Sequence, residues 1–159
     1  MQESDELLRR LIYGGVEFVV VGDLAAMAHG VRGLNQGLDI VAAFTPENMQ
    51  RLLAALHDVR PCNAVSREFP AIHASAEELA SWRNIYLVTD LGRLDVLGEL
   101  PLIGGYAEAV VHAVWIEIFG GVCAILGLDD LIRIERSASR KNDQRVAAEL
   151  EMIRERLRG

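Results

Sequence analysis

The chain has 159 residues, 51% of them hydrophobic, which suits one packed domain and leaves too little for two well-buried ones. Its 16 Lys and Arg against 23 Asp and Glu give a formal net charge of -7, which repels phosphate backbones and argues against a broad nucleic-acid surface, while a local basic pocket stays open. Met1 to Arg10 is polar and acidic, unlike a signal peptide. No apolar run approaches the roughly 20 residues needed to span a bilayer, and Cys62 and Cys123 lack metal-ligand spacing. A cytoplasmic protein with no membrane contact and two reduced thiols is expected.

Glu6 to Ile12 reads as a short amphipathic helix stopped by Gly14-Gly15. Val16 to Val21 is a β-branched and aromatic run, hence a buried strand. Gly22 turns the chain, Asp23 is placed to N-cap a helix over Leu24 to His29, and Gly30 ends it. Val31 to Gly37 reads as a loop and Leu38 to Phe44 as the second strand. Thr45-Pro46 then opens a helix to about His57, with Thr as the cap and Pro at the first helical position. Pro61 to Ala74 shows no period and reads as an irregular connection. Ser75, with Glu78 three residues on, forms a capping box for a helix to Arg83. Asn84 to Thr89 and Arg93 to Leu97 form a hairpin through Asp90-Leu91-Gly92. Val114 to Phe119 and Val122 to Leu126 form another around Gly120-Gly121. Leu128 to Ser137 and Asp143 to Leu157 are the closing helices. This order predicts one α/β (α+β) domain over residues 1-159, a small mixed sheet with helices packed on it and C-terminal helices over about 128-158.

Three places carry chemistry. Val21-Gly22-Asp23 joins a strand to a helix, and backbone N–H groups at a helix start can hold an anion; an ordinary strand-to-helix turn has the same pattern. Asp39 sits in the apolar strand Leu38-Asp39-Ile40-Val41, and Asp95 repeats this in Leu94-Asp95-Val96. A carboxylate so placed needs a partner. Either the two acids meet across neighbouring strands and ask for a cation, or each pairs with an arginine such as Arg32 or Arg93. Arg32 is the candidate phosphate-contacting cation, lying in the loop before Asp39. His29 reads as a histidine at a helix C-terminus, favoured there by the dipole. Trp82 and Trp115 read as core or interface aromatics, and Glu149 to Arg158 as a solvated helix face.

The segments Gly14-Gly15-Val16-Glu17-Phe18-Val19-Val20-Val21-Gly22, Leu24-Ala25, His29-Gly30, Arg32, Leu38-Asp39-Ile40, Thr89-Asp90-Leu91-Gly92-Arg93-Leu94-Asp95 and Leu128-Asp129-Asp130-Leu131-Ile132 occur in one order over about Leu11 to Leu150. In this the chain resembles the nucleotidyltransferase superfamily, in particular small bacterial members related to the toxin parts of abortive-infection and toxin–antitoxin pairs. The resemblance implies a nucleotidyltransferase-like fold, Mg²⁺ and an NTP as cofactors, and transfer of a nucleoside monophosphate to an acceptor. It implies Gly22, Asp23 and Arg32 at the nucleotide, with Asp39 and Asp95 as both catalytic acids and metal ligands.

The chain departs from the family pattern in one direction. The family's first strand acid corresponds to Gly37, the small residue after the first glycine is Asp23, and a frequent Lys corresponds to Glu135. An Arg-x-Lys-Asp segment reads Arg140-Lys141-Asn142-Asp143. Losing a ligand from a two-metal site removes several kcal/mol of transition-state stabilisation. Three readings therefore stand: a Mg²⁺-dependent transferase, a non-catalytic relative that binds a nucleotide or a partner protein, or an interaction module, such as a homodimer through the hairpin Val114 to Leu126. If position 37 faces a metal, Gly37→Asp is expected to raise Mg²⁺ affinity.

Overall fold

The computed structural model describes residues 3-34, 37-65 and 72-159. Its helices are α1 (Glu3–Tyr13), α2 (Gly22–Ala28), α3 (Pro46–Leu56), α4 (Ala76–Ala80), α5 (Tyr106–Ala109), α6 (Leu128–Ser137) and α7 (Lys141–Arg158). Its strands are β1 (Phe18–Val21), β2 (Leu38–Ala42), β3 (Cys62–Asn63), β4 (Asn84–Thr89), β5 (Gly92–Leu97), β6 (Val114–Ile118) and β7 (Gly121–Ile125). The strands form one mixed sheet in the order β3-β4-β5-β2-β1-β7-β6. The expected α/β (α+β) class, a mixed sheet with helices packed on it, is the one observed.

Every residue of β1 is buried, so helices cover both faces at the sheet's centre. Helix α3 packs on α1 and α4, and α6 packs on α2 and α7. The buried apolar side chains form one cluster, with Leu7, Leu11, Val19, Val20, Leu38 and Ile40 fully enclosed. The least exposed of the buried polar side chains, Asn48, is built into it. Asn48 on α3 accepts from the Glu17 amide at 2.7 Å and donates to the Glu17 and Ala43 carbonyls at 3.0 and 2.8 Å. It thereby clamps the start of β1 to the end of β2. Among the described residues no helix is long and apolar enough to cross a membrane.

The expected boundaries shift for local reasons. β1 begins at Phe18 rather than Val16 because the Val16 amide closes α1 on the Leu11 carbonyl and the Glu17 amide goes to Asn48. α2 starts at Gly22 with Val21 in the cap position and no side-chain cap, so Asp23 is a first-turn residue and not the N-cap. Thr45 caps α3 as expected, accepting from the Asn48 amide at 3.1 Å. Ser75 caps α4, accepting from the Glu78 amide at 3.2 Å, but the helix stops at Ala80, where Ser81 and Trp82 tighten the last turn. Part of the connection expected over 61-74 is the two-residue strand β3, and residues 66-71 of it lie outside the described residues.

The second hairpin turns on Phe119 and Gly120, both at positive φ as a type I′ turn requires. Gly121 belongs to β7, where an added Cβ would lie 2.6 Å from the Ile12 side chain. Cys62 and Cys123 are free, on strands five spacings apart, roughly 24 Å at about 4.8 Å per strand, beyond disulfide reach. Burial pushes the Cys123 thiol up to about 12.

Candidate functional site

Strands β2 and β5 are parallel neighbours, and their register sets Asp39 directly opposite Asp95. The next strand, β1, pairs Val21 with Asp39, so the turn at Gly22 rises beside the same carboxylate. Gly22 has φ +65, and a Cβ there would lie 2.5 Å from Asp39 Oδ2. Glycine is therefore required twice, for a left-handed backbone and for the space that Asp39 fills. Asp39 Oδ1 is buried and has no hydrogen-bond partner among the described residues. Burial, then the charge of Asp95, pushes the Asp39 carboxyl up to about 6; Arg93 opposes this and Asp23 adds to it.

Of the two readings left open by the sequence, the first is realised and the second holds for Asp95 alone. The acids do meet, and Asp95 also has an arginine, with Arg93 Nε 3.7 Å from its Oδ1. Arg93 stands two residues before Asp95 on one strand, hence on the same face, a spacing that marks it ahead of Arg32. Arg32 is exposed in the loop after α2 and is not among the charges acting on Asp39.

A second group of acids faces the site from the C-terminal helices. Glu135 on α6 and Asp143 on α7 are buried, 8% and 9% exposed. Burial, then Asp143 and Asp23, pushes the Glu135 carboxyl up to about 7, with Arg140 opposing. Arg140 Nε bonds Asp143 Oδ2 at 2.9 Å. Asp23 thus acts on both groups, raising Asp39 on one side and Glu135 on the other. An acid in the first turn of α2 also meets the positive end of that helix, which a phosphate would otherwise use. His29, which closes α2, is occupied structurally, its Nε2 lying 2.8 Å from the Leu126 carbonyl.

Gly37 has φ +106, and a Cβ there would sit 3.0 Å from the Arg93 carbonyl oxygen and 3.2 Å from its Cβ. The backbone itself is adapted to glycine, so Gly37→Asp is a strained substitution and a poor way to restore a ligand. Among the described residues no three His, Cys, Asp or Glu side chains are arranged to hold a metal. The facing carboxylates with one orphaned oxygen fit a single hard cation that completes its shell with water or phosphate oxygens, and do not fit a pair of metals.

The chain matches no protein-family model and no curated protein.

Proposed function

We propose that the chain is a nucleotidyltransferase-like protein that binds a nucleoside triphosphate through one Mg²⁺ held by Asp39 and Asp95, and that has lost efficient nucleotidyl transfer. The observation that carries this reading is the orphaned, buried Asp39 Oδ1 beside Asp95, a carboxylate pair that an added cation would satisfy. Mg²⁺ characteristically binds one or two carboxylates together with phosphates and retained waters, which suits two acids and no third. When bound, the ion neutralises the pair and draws phosphate oxygens to it. Asp39 and Asp95 hold it, Gly22 leaves room for the Asp39 carboxylate, and Arg93 anchors Asp95. Transfer by two metals asks for a further ligand, and position 37 offers glycine in a backbone that excludes a side chain.

Calorimetry with ATP, GTP, CTP and UTP, with and without Mg²⁺, tests the reading. Binding of at least one nucleotide that requires Mg²⁺ and is lost in Asp39→Ala is expected. Binding indifferent to Mg²⁺, or to none of the four, contradicts it. Incorporation of label from an α-labelled NTP at ordinary enzymatic rates would instead return the chain to the active transferases.

A further inference from the structure

Among the described residues, strand β6 is a free edge of the sheet, hydrogen-bonded only to β7. Natural edge strands are usually blunted by lysine, proline or a bulge, which prevents edge-to-edge pairing. β6 reads Val114-Trp115-Ile116-Glu117-Ile118, with an unbroken register to β7 and one charge. It carries exposed apolar surface: Val114 is 46% exposed, Trp115 56%, and Val122 beside it 57%.

The turn fixes which backbone groups face outward. Phe119 and Gly120 form a two-residue hairpin loop, so the flanking Ile118 and Gly121 are a hydrogen-bonded pair. Alternation makes Ile116 with Cys123 and Val114 with Ile125 hydrogen-bonded pairs as well. The N–H and C=O groups of Trp115 and Glu117 therefore point away from β7. No backbone bond elsewhere among the described residues takes them up.

We infer that β6 is a homodimer interface, pairing with β6 of a second copy, antiparallel about a two-fold axis at Ile116. Charge and hydrogen bonding select this register among the alternatives. Centred on Glu117, the two carboxylates would stand directly opposite, a repulsive arrangement. Centred on Trp115, Glu117 would fall opposite Ala113, outside the strand. Centred on Ile116, Trp115 of each copy lies opposite Glu117 of the other as a hydrogen-bonded pair. All four outward-facing groups of each strand are then used, and no like charges meet. Trp115 and Glu117 share a face with Val122 and Ala124, so the exposed tryptophans meet near the axis and cover one another's Glu117 stems. The two sheets become one, and the edge disappears. Such an isologous contact needs a single self-complementary patch, which five residues of this strand supply.

Sedimentation equilibrium of the wild type, Trp115→Glu and Trp115→Lys tests the register as well as the association. The wild type is expected at twice the 17.5 kDa chain mass at micromolar to submillimolar concentration. Trp115→Glu places an acid opposite Glu117 and should weaken the dimer by about tenfold or more. Trp115→Lys places a cation there and should keep the dimer, in a salt-sensitive form. Amide exchange at Trp115 and Glu117 should slow as wild-type concentration rises. A monomeric wild type over that range overturns the interface, and equal behaviour of the two variants overturns the register. Trp115 is exposed, and unchanged circular dichroism of both variants confirms that folding is not what is being read.

Discussion

Glu135→Gln isolates the cost of the buried acids on the C-terminal helices. Glu135 is 8% exposed, and burial together with Asp143 and Asp23 lifts its carboxyl to about 7 from an ordinary 4.5, against the pull of Arg140. The folded state therefore binds a proton that the unfolded chain releases between these two values. Stability contributed by that proton is fully present below pH 4.5 and is lost as pH rises through 7. At 1.36 kcal/mol per pKa unit, two and a half units amount to about 3 kcal/mol at pH 8. Glutamine has the same shape, stays neutral, and can still donate to Asp143. The variant should match the wild type in urea unfolding at pH 4.5 and exceed it by about 3 kcal/mol at pH 8, or roughly 6–12 °C in Tm for a chain of this size. An equal difference at both pH values would refute the reasoning, because a merely packed side chain carries no such pH dependence.

Two further substitutions probe the same frame. Gly22→Ala forces a left-handed residue and drives a Cβ to 2.5 Å from Asp39 Oδ2, so about 2–4 kcal/mol should be lost; Asp39→Gly in the same chain should recover the steric part, read as coupling in a double-mutant cycle. Thr45→Ala removes the side chain that accepts from the Asn48 amide and should cost about 1 kcal/mol in urea unfolding with an unchanged m-value.

Local chemistry made much of the fold legible. Thr45-Pro46 marks the start of α3, Asn84–Thr89 is a strand to the residue, and Leu128–Ser137 is a helix with both ends as expected. The errors arise where tertiary contacts decide. Asp23 looks like a helix cap, yet Gly22 at φ +65 starts the helix two residues earlier than expected. Residues 98-113 have no period to read. Their short helix α5 sits where Gly98 and Gly105 allow close backbone approach, an added Cβ at Gly98 lying 2.5 Å from the Arg83 carbonyl oxygen. Asp39 and Asp95 stood out because charges in apolar strands need partners. Their facing register did not, since it depends on parallel pairing between segments separated by α3, β3, α4 and β4. Glu135 was visible as a departure from a family pattern and Asp143 as a match to it, and only the packing of α6 and α7 shows both to be buried. Between Arg32 and Arg93, the two-residue spacing already favours Arg93 as the partner of Asp95.

Asp39 and Asp95 are proposed to form a one-cation site. Titrating the protein with Mn²⁺ and reading free ion by electron paramagnetic resonance counts that site directly. One Mn²⁺ per chain, displaced by Mg²⁺ and lost in both Asp39→Asn and Asp95→Asn, is the predicted result. No binding, two ions per chain, or one ion retained in both variants would contradict it.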